Sequence, residues 1–238
     1  MRKIIVLGAG YGGISAAKRL HKKFKKDDNT EIILIDKNPH HTLLTELHEV
    51  AGNRVKPTSL LIDLERIFKY TKVKVVRDEV TSINFEENKV VSKNNNYNYD
   101  YLVIACGSEP AYFNIPGLEE NGYTLWSMQD ATKIKNQIIN MFEQASRETN
   151  PQKRKELLTF VVGGGGFTGI EILGELVKWT KVLAKEYGIN PDEVQLKVVE
   201  AADKILPTLP DSLVKKATKY LKKHKVDILT KNYDHLCF

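Results

Sequence analysis

The stretch TFVVGGGGFTGIEILGE, residues 159–175, decides how this sequence is to be read. A short apolar run, Phe160-Val161-Val162, enters four glycines and gives way to Ile172, Leu176, Trp179 and Leu183 at helical spacing. Gly164, Gly166 and Gly169 satisfy G-x-G-x-x-G. The first glycine permits a tight turn, the second lets the backbone approach a pyrophosphate, and the third lets helix and strand pack closely. The helix that starts there, with Phe167 and Thr168 as candidate contacts, points unpaired N–H groups at a phosphate, and its dipole favours the negative charge.

A second copy stands at the N-terminus. Residues 3–7 form an apolar strand that runs into Gly8-Ala9-Gly10-Tyr11-Gly12-Gly13, where Gly8, Gly10 and Gly13 repeat the spacing. Ile14, Ala17, Leu20 and Phe24 follow as a helical stripe. The next strand, 31–35, ends at Asp36, 23 residues past Gly13, where a carboxylate accepts hydrogen bonds from a ribose. The later copy has its own acid: strand 195–199 ends at Glu200, 31 residues past Gly169, the excess taken up by a longer helix and the GINPDEV loop. An acid there favours NAD, because it would repel a 2′-phosphate, and Ala201 and Ala202 supply no arginine to receive one. The chain is therefore expected to be α/β, with two Rossmann-like dinucleotide-binding domains.

Between the two copies lie several shorter signals. Residues 38–52, NPHHTLLTELHEVAG, hold three histidines and two glutamates, but no H-x-x-x-H or H-E-x-x-H spacing, so no metal is expected. Thr42, Thr45, His48 and Glu49 read as contacts to a cofactor, or as the solvated side of a helix whose stripe is Leu43, Leu44, Leu47 and Val50. Residues 60–68 suggest another amphipathic helix, 73–76 a strand, and 80–91 a hairpin replacing the usual crossover helix. Residues 101–105 read as a buried strand ending at Cys106-Gly107-Ser108, with Cys106 a small core residue rather than a reactive thiol. Ile115-Pro116-Gly117 marks a boundary, Ser127 a helix cap, and 147–155 a charged linker. The expected organisation is a first domain over 1–115, a connecting helix and linker over 116–158, and a second domain over 159–238.

The net charge of +6 comes from 36 basic residues interspersed with 30 acidic ones, which fits solubility, and no nucleic-acid motif accompanies the lysines. Two cysteines, Cys106 and Cys237, far apart, exclude a C-x-x-C redox pair and a disulfide framework, and point to a reducing cytosol. The opening Met1-Arg2-Lys3 runs straight into a strand without a signal-peptide pattern, and no run of about 18 apolar residues occurs. Leu213, Val214, Ala217, Tyr220 and Leu221 line a helix with lysines at 215, 216, 219, 222, 223 and 225, which reads as a crossover helix with a solvated face rather than a membrane-surface helix.

With both glycine motifs placed, the sequence resembles the type II NADH dehydrogenases, single-subunit NADH:quinone oxidoreductases of the two-dinucleotide-binding-domain flavoproteins. The resemblance rests on GAGYGG at 8–13, LHEVAG at 47–52, YDYLVIACG at 99–107, IPGLEE at 115–120, VVGGGGFTGIE at 161–171, GEL at 174–176 and VEAADKILP at 199–207. It implies FAD on the first motif and NADH on the second. Gly8 to Gly12 would line the flavin pyrophosphate, Asp36 and Lys37 the adenosine ribose, and Val80 a backbone contact to adenine; Thr45, His48 and Gly107 stand as further candidate cofactor contacts. Glu171 matches the glutamate that the family places near the nicotinamide and flavin rings, while its plainer reading is a carboxylate favoured by the helix dipole. The implied reaction is NADH to flavin to quinone at the cytoplasmic face of a membrane, by a peripheral enzyme for which a homodimer is left open. A soluble reductase with a protein acceptor, or a dinucleotide-binding remnant without turnover, are the rivals. Cys106 replaces the family's usual threonine before Gly107 and reads as a tolerated small residue. The family's return to the flavin domain and its membrane-binding ending have no counterpart, so the FAD domain is expected to be incomplete and the chain truncated, with KNYDHLCF unlike the family's continuation.

Overall fold

A computed structural model describes residues 1–231. The chain is α/β and divides into two compact units, one of 1–43 with 60–109 and one of 44–59 with 110–238. Cys237 and all but the first residue of the closing KNYDHLCF lie outside the described residues.

In the first unit β1 (Arg2–Leu7) leads through the glycine turn into α1 (Tyr11–Phe24), which is followed by β2 (Thr30–Asp36) and β3 (His40–Thr42). The chain then passes through α2 (Leu47–Ala51), which packs in the second unit, and returns as β4 (Leu61–Asp63), α3 (Leu64–Phe68) and β5 (Val73–Arg77). An antiparallel excursion of β6 (Val80–Asn84), β7 (Lys89–Ser92) and β8 (Asn96–Asn98) precedes β9 (Tyr101–Ile104). The main sheet is all parallel, in the order β5-β2-β1-β9. Alternation along its central strands fills both faces. Val6, Ile32 and Leu34 pack with Ala17, Leu64 and Phe68 on the helical side. Ile5, Leu7, Ile33 and Ile35 pack with Val90 and Tyr99 on the other, so the antiparallel sheet takes the place of a crossover helix as expected.

Three expectations for this unit need correction. Residues 60–68 are not one helix: 61–63 pair with β3 as a strand, and Asp63 caps α3 by accepting a hydrogen bond from the Arg66 N–H at 2.8 Å. The apolar spacing that suggested one helix is shared between a strand and a single helical turn. β9 is a sheet edge rather than a buried strand, with Tyr101 59% and Ile104 57% exposed. Cys106, one residue beyond Ala105 at that edge, is exposed and not in the core.

In the second unit α4 (Leu118–Asn121) precedes α5 (Met128–Arg147), whose start is fixed by a capping box between Ser127 and Asp130. The stretch expected as a linker contains α6 (Pro151–Leu157), made possible by Asn150 at the N-cap and Pro151 in the first turn. β10 (Thr159–Gly163), α7 (Phe167–Glu186), β11 (Gln195–Glu200), α8 (Asp211–Lys223) and β12 (Val226–Thr230) complete it, with the strands parallel in the order β10-β11-β12. α7 buries Ile172, Leu173, Leu176, Val177, Trp179 and Leu183, and Phe142 of α5 stacks on Phe160 of β10 with ring centroids 5.9 Å apart. Gly188, at φ +64, ends α7.

The first unit's antiparallel sheet is pinned by Asp78, a buried carboxylate. It accepts hydrogen bonds from the Ser92 hydroxyl at 2.6 Å, the Tyr97 hydroxyl at 2.8 Å, the Asn94 amide at 2.9 Å and the Glu79 N–H at 2.9 Å. These donors, Ser92 foremost, outweigh desolvation and hold its pKa down at about 2. The folded pKa lies below the unfolded one, so the contribution to stability is complete above about pH 4 and lost as pH falls toward 2. Asp78→Asn is therefore expected to destabilise the fold at pH 7, with the gap to the parent narrowing between pH 4 and pH 2. Urea unfolding across that range measures it.

Candidate functional site

Two cradles are built by the same local rule, one in each unit. In the first, Gly8 turns with φ +93, donates its N–H to the Ile35 carbonyl at 2.8 Å, and lies so close to the Ala105 carbonyl that any β-carbon would overlap it. Gly13 lies on the Gly8 carbonyl with no room for a β-carbon. Gly10 and Gly12 face open space, and no side chain caps α1, which starts at Tyr11. The backbone at the helix N-terminus is thus presented outward, as a pyrophosphate requires.

The second cradle repeats this closely. Gly164, at φ +97, donates to the Val199 carbonyl at 2.8 Å. Gly169 lies on the Gly164 carbonyl with no room for a β-carbon, whereas Gly166 faces open space at an uncapped α7 N-terminus. Phe167 and Thr168 stand exposed in the first turn. Both cradles therefore have the form that a dinucleotide pyrophosphate would fill.

The two acids share a role that the sequence did not disclose. Asp36 Oδ2 accepts the Ala9 N–H at 2.6 Å and Oδ1 the Asn38 N–H at 2.7 Å. Glu200 Oε2 accepts the Gly165 N–H at 2.6 Å and Oε1 the Ala202 N–H at 2.7 Å. Each carboxylate, placed for a ribose, also holds the glycine turn, and each oxygen keeps a second lone pair.

Buried His41 was also missed as a site residue. Its Nδ1 lies 2.9 Å from the Ala9 carbonyl, and its ring meets Tyr11 edge to face at 4.8 Å. The only sequence signal was an isolated pair of histidines after the acid. Lys37 is exposed, with its carbonyl accepting from Arg77 Nε at 3.4 Å. Val80 opens β6 opposite Ser92, and Gly107 is an exposed turn residue at φ +82.

Thr45 and His48 are not in the first unit: residues 44–59 pack with the second. Thr45 is exposed in a short 3-10 turn, its hydroxyl 3.5 Å from Glu46. His48 faces α7, with Nδ1 3.6 Å from Oε2 of Glu171. Glu171 is the fifth residue of α7, one turn in from the second cradle. Ligand-type atoms of Glu46, His48 and Glu49 lie within 4.8 Å of one another, although Glu49 is already paired with Arg54 and His48 with Glu171.

The model of the pyridine nucleotide-disulphide oxidoreductase family matches residues 2–233. The chain belongs to that family. It is 36% identical over 226 residues to a type II NADH:quinone oxidoreductase of Staphylococcus haemolyticus and 34% identical to one of Staphylococcus aureus, covering 95% of this chain in each case. The chain spans about half the length of these curated relatives, 56% in both. In fold it is similar to NDH2 from Plasmodium falciparum, solved in complex with NADH, with a TM-score of 0.85 at 23% identity over 96% of this chain and 48% of that one. The family's disulphide chemistry needs a thiol pair, and Cys106 is the one cysteine among the described residues.

The two kinds of glycine separate fold from binding. Gly169→Ala is expected to destabilise the second unit by about 1–3 kcal/mol, because helix and turn must part to admit the methyl. Gly166→Ala, facing open space at an ordinary φ of −72, is expected to leave thermal stability nearly unchanged. Paired melting curves check the contrast.

Proposed function

We propose that the chain carries the two nucleotide sites of a type II NADH:quinone oxidoreductase, with FAD on the first cradle and NADH on the second. The repeated glycine geometry carries this reading, and the names of the curated relatives support it. Gly8, Ala9, Gly10, Tyr11, Gly12 and Gly13 would hold the flavin pyrophosphate by backbone N–H groups, and Asp36 with Lys37 the adenosine ribose. Val80 would meet adenine through its backbone, Gly107 would serve the flavin end of the first cradle, and Thr45 and His48 would be cofactor contacts carried by the second unit. Gly164, Gly166, Phe167, Thr168 and Gly169 would seat the NADH pyrophosphate, with Glu200 on its ribose and against a 2′-phosphate. When bound, the two groups supply hydride transfer from nicotinamide to flavin and two-electron delivery to a quinone; the protein's share is orientation and electrostatics. Glu171 would stand at the reacting end of the NADH seat, where a carboxylate can orient the nicotinamide and hold a proton.

A lipid-soluble quinone sets the reaction at a membrane surface, and NADH sets it at the cytoplasmic face. No helix among the described residues is long and apolar enough to cross a membrane.

The test is to purify the chain with added FAD, remove excess, and add NADH without oxygen. Yellow protein that bleaches with NADH and recolours with a short-chain quinone is the expected result. Gly10→Ala should lower retained flavin, and Gly166→Ala should raise the NADH dissociation constant at least tenfold, about 1.4 kcal/mol, with flavin content unchanged. A colourless product, or a protein acceptor that replaces quinone, overturns the reading.

A further inference from the structure

Gly52, the C-cap of α2, lies against α7, where any β-carbon would overlap the Glu175 side chain. Glycine at 52 is therefore what allows the two helices to touch there. Arg54 ties the contact from its far side. Its Nε lies 3.2 Å from Glu175 Oε1, its terminal amino group pairs with Glu49, and its N–H donates to the Glu49 carbonyl at 2.7 Å. The Glu175 side chain is only 11% exposed, and the Arg54 guanidinium is the cation beside it.

A second contact stands one turn away on the same two elements. His48 precedes Gly52 by four residues, and its carbonyl accepts the Gly52 N–H at 2.9 Å. Glu171 precedes Glu175 by the same four, which places it on the same face of α7. The pairs 52 with 175 and 48 with 171 are thus successive rungs, and the register set at one dictates the other. Only 12% of the His48 side chain is exposed against 46% for Glu171, so the imidazole is the fixed member of the pair.

We infer that His48 is a positioning residue for the Glu171 carboxylate, with Gly52, Glu175 and Arg54 setting the register that brings the two together. This rests on the reading above, in which Glu171 acts at the NADH seat. The imidazole selects one rotamer of a half-exposed carboxylate, so that its orientation toward a bound nicotinamide is set before binding.

The test is a double-mutant cycle of His48→Ala and Glu171→Gln on the full chain. It is read as the NADH dissociation constant of the flavin-free protein, as the rate of flavin bleaching by saturating NADH in the loaded protein, and as urea unfolding. His48→Ala is expected to slow bleaching about tenfold, nearly as much as Glu171→Gln, with the double variant no slower than Glu171→Gln alone. His48→Asn, whose amide reaches the place of Nδ1, is expected to restore most of the rate, and the unfolding midpoint should stay close to the parent's. Effects that multiply in the double variant, or His48→Ala within twofold of the parent where Glu171→Gln is slow, overturn the inference. Glu171→Gln within twofold of the parent overturns the functional placement of Glu171 instead. The cycle on the NADH constant and on unfolding then decides the pair, with additivity in both sinking it.

Discussion

Each unit depends on one close approach between a helix and a turn. The third glycine of each motif lies on the carbonyl of the first, Gly13 on Gly8 and Gly169 on Gly164, at a separation that no side chain survives. That contact sets how near the helix N-terminus comes to the ends of the parallel strands. Nearness in turn decides whether the uncapped N–H groups converge on a phosphate or point past it. The first glycine's positive φ and its N–H bond to the neighbouring strand make the turn possible, and the open space at Gly10 and Gly166 follows from it.

The part of this that rests on glycine was legible in the sequence, because glycine spacing reports backbone geometry directly. The helix cap at Ser127 and the antiparallel cover over the first sheet were legible too, each from a local pattern. What stayed hidden was decided by partners distant in sequence. The apolar spacing at 60–68 fitted a helix until pairing with β3 claimed its first residues. The run at 101–104 read as buried, since apolar residues cannot announce that a strand lies at an edge.

The segment 44–59 shows the same limit for the site. Its histidine and glutamates suggested either cofactor contacts or a solvated helix face, and neither reading foresaw that it would pack in the second unit. Gly52 held the clue. A glycine after a short helix ordinarily signals a helix end, and Gly52 does sit at the C-cap of α2. Its φ of −86, however, is one any residue adopts, so conformation does not require glycine there. The requirement is steric, imposed by Glu175 more than 120 residues later in the chain.

A comparison of the two cradles within the one chain bears on one of their differences. The residue after the first glycine is Ala9 in one and Gly165 in the other, and the bracing acid is Asp36 in one and Glu200 in the other. A β-carbon on Gly165 would lie 3.0 Å from Ile205 Cγ2, 3.1 Å from Glu200 Oε2 and 3.2 Å from the Glu200 Cβ, all tighter than an ordinary contact. The longer glutamate must fold back along the turn to reach the N–H at 2.6 Å, and it occupies the space where a methyl would stand. Aspartate reaches the same N–H, also at 2.6 Å, with one methylene fewer, and Ala9 keeps its methyl in a buried site. Acid length and turn residue are thus one choice made jointly. A glutamate at position 36 beside Ala9 would crowd the first cradle, whereas the second turn, with glycine at 165, has room for either acid.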